Sequence, residues 1–288
     1  AYWDLKEEKT KSQYKLFSKY DKFGKNEYKT LAKYCKKINI DFLSTPFDLD
    51  AVDMLRPMVP LFKISSSDIT NIPLLEKIAK TKKPVLLSTG ASSISEIKNA
   101  VKIIQKGTNK IVIMHCILSY PTADENASLK MILDLKNKFP KFVIGYSDHT
   151  VPDKNMLNAT AAYTMGAKVI EKHFTHNKKL KGNDHYHSMN VKDLKLLASN
   201  IKRINKILGK SKIKKVLKCE LQSKKFARRC IVAKKNLVKN HKICESDLIT
   251  LRPNTIGVPA SKWKEIIGKR LKRNIEANKE IKWKDLSF

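Results

Sequence analysis

The stretch from Phe142 to Thr175 constrains the fold more than any other part of the chain. FVIGYSDHT and AKVIEKHFT are two short apolar runs that end in polar residues. A short apolar run bounded by turn signals suits a strand buried on both faces, as in a parallel sheet. The intervening segment, Asp153–Met165 with NMLNATAAYTM, is long enough for a crossover helix. The unit therefore reads as βαβ, with His149 and His173 at the C-terminal ends of consecutive strands. Adjacent strands lie about 4.8 Å apart, so the two imidazoles can converge on one metal ion or one substrate oxygen. The plainer alternative is that each is a satisfied core or cap histidine.

The same rhythm runs upstream. IDFLSTPFD (40–48), LFKISSSD (61–68), PVLLSTG (84–90) and KIVIMHC (110–116) are further strand patterns separated by helix-sized segments. Residues 1–37 look mostly helical. The helix after Gly90 has a capping box, Ser93 to Glu96, an apolar stripe of Ile94, Ile97, Val101 and Ile104, and Gly107 as a C-terminal stop. A helix over 191–208 closes the series. Strands alternating with helices predict parallel βαβ units.

Each strand ends in polar residues: Ser44-Thr45, Ser66 to Asp68, Ser88-Thr89, His115-Cys116, Ser147 to His149, and His173. That is the pattern of a (β/α)₈ TIM barrel, whose active face lies at the C-terminal strand ends. A doubly wound sheet would gather its site at one switch point. Six strands are counted where a barrel needs eight. The expectation is therefore an α/β chain whose barrel domain, residues 1–208, lacks its first two strands, those strands lying before Ala1. Residues 209–225, with KSKIKKVLKCELQSKK, read as a basic, structureless linker. Residues 226–288 read as a small, mainly β module.

Composition removes some functions. The net charge of +32 is carried almost entirely by Lys spread along the whole chain. Arg, the residue suited to bidentate base or phosphate recognition, occurs only at positions 56, 203, 228, 229, 252, 270 and 273. Specific nucleic-acid binding is not expected. No apolar run approaches the roughly 20 residues of a membrane helix, and the first residues do not read as a signal peptide. Five scattered cysteines without a CxxC fit reduced thiols in a cytoplasmic protein.

Lys63, Ser66, Ser88 and Ser147 offer an ammonium and three hydroxyls at different strand ends, a set suited to a phosphate or carboxylate. Asp68, Asp148 and Asp184 are candidates for protons or sugar hydroxyls. Two neutral histidines, His149 and His173, would leave a bound metal several open positions, as a Lewis-acid site requires. Each serine precedes a helix, so helix capping is the competing role. For Lys63 the competing role is a solvated face, which its place between Phe62 and Ile64 makes a poor fit.

LSTPFD, FKISSSD, LLSTGASSISEI, MHCILSYPT, IGYSDHT, VIEKHFT, GNDHYHS and ARRCIVAKKNL…LRPNTIGVPA follow one another with natural spacing. In this order they closely resemble the sialic acid (N-acetylneuraminate) synthase family, which includes legionaminic and pseudaminic acid synthases and spore-coat polysaccharide proteins. The resemblance runs from about residue 30 onward. It implies a (β/α)₈ barrel followed by an antifreeze-like (SAF) domain. It further implies a domain-swapped homodimer whose small domain covers the partner's barrel mouth.

The implied reaction joins phosphoenolpyruvate to an N-acylated amino-sugar aldehyde, giving a nonulosonic acid and phosphate, with Mn²⁺ or Mg²⁺ as cofactor. Carried over by motif, His149 and His173 are the metal ligands. Thr45, Lys63, Ser66, Ser88 and Ser147 contact phosphoenolpyruvate. Asp68, Tyr120 and Asp184 serve the sugar side, with Arg252 reaching in from the partner's small domain. His149, His173, Asp68 and Asp184 make up the catalytic set.

This chain departs from the family pattern in three places. Leu118 replaces a polar phosphoenolpyruvate contact, RPNTIG replaces the commoner RPG-x-G, and the Glu, Asn-His pair and Lys of the family's first two strands have no counterpart. The resemblance thus implies either a synthase represented without its first strands or a non-catalytic remnant that keeps the fold and dimer interface. In the first case these 288 residues alone are expected to be inactive, with unpaired edges on Ile40–Ser44 and Val169–His173 that favour aggregation.

Overall fold

The computed structural model describes residues 3, 5–6, 8–182 and 184–287. The chain divides into two compact units, Ala1–Gly209 and Lys210–Phe288. The larger unit begins with α1 (Gln13–Tyr20), α2 (Lys25–Lys37) and α3 (Leu49–Leu55). The βα alternation follows: β1 (Phe62–Ile64), α4 (Ile72–Lys80), β2 (Val85–Ser88), α5 (Ile94–Ile104), β3 (Ile111–Cys116), α6 (Met131–Lys138), β4 (Val143–Asp148), α7 (Leu157–Met165), β5 (Val169–Lys172) and α8 (Val191–Leu208). The five strands form one parallel sheet in sequential order.

Strand alternation separates the work of the two sheet faces. Phe62, Ile64, Val85, Leu87, Ile113, Ile144 and Tyr146 pack under the helices, against Leu74, Leu75 and Ile78 of α4, Ile97 and Ile104 of α5, and Ile132 of α6. Each such burial stabilises the unit by about 1.5–3 kcal/mol. The intervening positions place Lys63, Ser88, Cys116, Ser147 and Glu171 on the opposite face. The register ties them together: Ser88 lies opposite Met114, Cys116 opposite Ser147, and Ser147 opposite Glu171.

Five strands form where six were expected. Residues 41–46 join no ladder, and β1 pairs only with β2 among the described residues. Phe42 packs on the core, but Ile40 and Leu43 remain exposed and Pro46 has no N–H to donate. A run that buries little beyond Phe42 and Pro46 fixes its pairing register weakly. The sheet is open, with β1 and β5 at its edges, so the closed barrel is not itself seen.

The capping box at Ser93 forms, with Ser93 Oγ accepting from the Glu96 N–H and Glu96 accepting from the Ser93 N–H. Gly107 is not the left-handed stop expected of it. The helix is capped by Gln105 in helical conformation, and Gly107 is needed because a Cβ there would lie 1.8 Å from the Ala79 carbonyl oxygen. Gly107→Ala must therefore push α4 and α5 apart. We expect a loss of about 1–3 kcal/mol, measured as a lower denaturation midpoint at unchanged m-value.

The smaller unit has its own core of Ile231, Leu237, Ile243, Val258, Leu271 and Ile281. β6 (Cys230–Ala233) and β7 (Leu248–Leu251) pair antiparallel, and isolated bridges join much of the remaining chain. The expected structureless linker holds α9 (Leu221–Phe226), formed by a run free of Gly and Pro. Within WKEIIGKRL the chain forms the short α10 (Trp263–Ile266). Burial alone would raise the Asp247 carboxyl pKa. The Cys244 N–H and the His241 ring outweigh it and hold the group far below the usual carboxylate range. Among the described residues no helix is long and apolar enough to cross a membrane. All five cysteines are free.

Candidate active site

The polar face of the sheet opens into a cavity of about 240 Å³. Its lining includes Thr45, Lys63, Ser66, Ser88, Tyr120, Ser147, His149 and His173. These eight were singled out in the sequence from six separate segments. Phe47, Ser65, Cys116 and Glu171 complete the wall.

The serines are not the local helix caps. Capping falls to their neighbours: Ser65 accepts from Ser67, Asn71 caps α4 and Ser93 caps α5. Ser66 Oγ accepts from the Gly90 N–H at 2.9 Å. Ser88 Oγ is buried and has no hydrogen-bond partner among the described residues. Ser147 Oγ donates to Glu171 at 2.7 Å. Lys63 is 9% exposed, with its ammonium 3.4 Å from the Glu171 carboxylate. A buried cation, an unpartnered hydroxyl and further donors within one cavity form a receptor for an anion.

Histidines line the other side. His149 Nδ1 lies 2.8 Å from the Ile117 carbonyl oxygen. A carbonyl only accepts, so Nδ1 carries the proton and Nε2 keeps its lone pair. Burial pushes the His149 pKa down to about 4, which keeps the ring neutral. Its centroid lies 5.3 Å from that of His173 and 4.1 Å from that of Tyr120. His173 Nδ1 is 3.6 Å from Asp184 Oδ2. His173, Asp184 and His187 each offer one donor atom, all within 4.8 Å of one another.

Three strand-end residues face the other way. Asp148 and Lys172 are each 1% exposed and pair at 2.8 Å. Asp148 Oδ1 also accepts from the Tyr146 hydroxyl, the Thr150 N–H and the Thr150 hydroxyl. Asp148 therefore braces β4 against β5 and does not handle protons or sugar. His115 stacks on Tyr146 and lies 2.8 Å from the Ala127 carbonyl oxygen, a core role. Asp68, in the turn after β1, accepts from Asn71 at 3.1 Å and is not part of the cavity lining. Arg252 is exposed on the smaller unit.

Residues 1–213 match the NeuB family, and residues 228–287 match the SAF domain. The chain belongs to the NeuB family. An N,N'-diacetyllegionaminic acid synthase of Campylobacter jejuni is 40% identical over 259 residues, covering 88% of this chain and 76% of that protein. An uncharacterized protein of Methanocaldococcus jannaschii is 41% identical over 278 residues, covering 96% of this chain and 81% of that protein. Among solved structures, an N-acetylneuraminic acid (sialic acid) synthetase from Leptospira borgpetersenii superposes with a TM-score of 0.65 at 40% identity, covering 70% of this chain and 69% of that one.

Two site residues of this NeuB-family chain escaped the sequence reading. Glu171 carried a usable signal: it stands two residues before His173, on the same strand face. His187 lies in the loop after β5, where no periodicity marks direction, and only contact with His173 reveals it.

Proposed function

We propose that this chain carries the catalytic face of a nonulosonic acid synthase. Such an enzyme is a transferase that forms a C–C bond between phosphoenolpyruvate and an N-acylated amino-sugar aldehyde. The sugar would be N-acetylmannosamine or a diacetamido-trideoxyhexose. The observation that carries the reading is the cavity where Lys63, three serines, Thr45 and two histidines meet.

In this reading Lys63 is the fixed cation for phosphoenolpyruvate, with Thr45, Ser66, Ser88 and Ser147 as hydroxyl donors around it. Such preset donors stabilise the charge that develops as phosphate departs. Tyr120 and Asp184 position the sugar, and Asp68, which lies outside the cavity lining, is assigned to the sugar side by the family pattern alone. Arg252 contributes from the small unit of a partner in a domain-swapped homodimer. A divalent ion, Mn²⁺ or Mg²⁺, would be held by His149 and His173 and would supply Lewis acidity at the sugar aldehyde. The enol carbon adds to the aldehyde carbon, water adds to the resulting oxocarbenium, and the C–O bond to phosphate breaks. The same reading makes the sheet part of a (β/α)₈ barrel, supported by its sequential order and polar strand ends. Free thiols support a cytoplasmic location.

Because these 288 residues alone are expected to be inactive, a form extended by two N-terminal βα units is to be incubated with phosphoenolpyruvate carrying ¹⁸O at the bridging position, N-acetylmannosamine or the diacetamido-trideoxyhexose, and Mn²⁺. We expect equal amounts of phosphate and a nine-carbon 2-keto acid, with the label in phosphate. Chelation should stop the reaction and Mn²⁺ should restore it. Label retained in the sugar acid, or no calorimetric binding of phosphoenolpyruvate with Mn²⁺ present, would overturn the reading.

A further inference from the structure

His187 has no part in the roles assigned above. It is fully buried, and neither ring nitrogen has a hydrogen-bond partner among the described residues. Burying an imidazole without partners costs free energy unless something binds it. Its centroid lies 5.1 Å from that of His173 and 6.4 Å from that of Tyr120, so it stands behind these two lining residues and not in the cavity wall itself. Its Nε2 is 3.8 Å from Asp184 Oδ1, and Asp184 Oδ2 is 3.6 Å from His173 Nδ1. Donors that share one divalent ion at about 2.0–2.2 Å stand roughly 3.0–3.5 Å apart. These two spacings, each to a different oxygen of Asp184, exceed that by a few tenths of an ångström, and one donor atom from each of the three residues lies within 4.8 Å of the others, so a shared ion requires the side chains to rotate inward.

We propose that His187 is a further direct donor to the divalent ion assigned above to His149 and His173, with Asp184 as the carboxylate donor between His173 and His187. The proposal rests on the reading that the site holds such an ion, and it adds a donor that the strand-end pattern did not predict. A donor set of imidazoles with one carboxylate favours Mn²⁺, Co²⁺ or Zn²⁺ over Mg²⁺, which prefers oxygen ligands. The competing account makes Asp184 an orienting partner of His173 and leaves His187 merely packed.

Co²⁺ titration of the whole chain, followed by calorimetry and by the visible d–d spectrum, separates the accounts. Wild-type protein should bind one Co²⁺. His187→Phe, which keeps an aromatic ring and removes both nitrogens, should weaken binding at least tenfold and shift the spectrum. The metal-free circular dichroism spectrum should stay unchanged. His187→Gln should bind with intermediate affinity.

Should the Phe variant fail to fold, the wild type still gives the answer. Labelled with ¹⁵N-histidine and loaded with ¹¹³Cd²⁺, it should show one-bond cadmium–nitrogen splitting on the His187 ring. Unchanged affinity and spectrum in a folded His187→Phe protein, or no splitting on His187, would overturn this proposal alone. Absence of Co²⁺ binding by the wild type would overturn it together with the metal reading beneath it.

Discussion

Lys172→Met is expected to be the most destabilising single change in the larger unit. The side chain keeps its length and loses its charge, which leaves Asp148 buried beside β5 without its cation. Both partners are 1% exposed, and Lys172 also donates to the Thr150 carbonyl at 2.7 Å. Burial pulls the Lys172 pKa down, so the pair already bears a desolvation cost that Asp148 offsets. Removing one partner of such a pair typically costs about 3–5 kcal/mol, because the other charge stays uncompensated. That is a large share of the roughly 5–15 kcal/mol that holds a domain folded. Chemical denaturation should show the loss directly. The double variant Lys172→Met, Asp148→Asn, which removes the uncompensated charge and keeps an acceptor for Tyr146 and Thr150, should recover part of it. A Lys172→Met protein as stable as the wild type would show that the pair is not buried in solution.

The second large effect is expected at Lys63. Calorimetric binding of phosphoenolpyruvate in the presence of Mn²⁺ should weaken in Lys63→Met by about 30- to 3,000-fold, the loss of a desolvated charge partner worth roughly 2–5 kcal/mol. Binding of the amino sugar should change little. Glu171 gives this prediction a second arm. Its carboxylate lies 3.4 Å from the Lys63 ammonium and accepts from Ser147, so it occupies donors that an incoming anion needs. Glu171→Gln should therefore bind phosphoenolpyruvate several-fold more tightly. A Lys63→Met protein that loses the sugar and keeps phosphoenolpyruvate would refute the assignment. So would a Glu171→Gln protein with weakened anion binding.

Much of the site was legible because parallel strands impose a simple rule. Side chains alternate, and strand ends share one rim. The apolar residues of FVIGYSDHT and AKVIEKHFT locate β4 and β5, and counting in twos from them puts Ser147 with His149 on one face; the same counting, not applied to Glu171, sets it beside His173. The same counting sends Asp148 and Lys172 to the opposite face. That was overlooked when Asp148 was grouped with the proton carriers. The strand expected at Ile40–Ser44 failed for a related reason. Pattern alone cannot tell a run buried on both faces from one whose Ile40 and Leu43 remain in solvent.

What the sequence determined by itself is the βα order from Phe62 to Leu208, the polar rim and most of the residues that line the cavity. These follow from local periodicity and from where each strand stops. Tertiary structure alone decided three things. Gly107 is required by the Ala79 carbonyl of a neighbouring helix, not by a turn of its own. Asp148 belongs to a buried ion pair because β5 lies beside β4 in a register that sets it opposite Lys172. His187 joins the histidine cluster because the loop after β5 folds back, with Met189 bridging to Phe174. Each depends on a contact between segments distant along the chain or on a loop path. Neither leaves a period in the sequence, since loop residues are held by whatever they meet and not by a repeating backbone geometry.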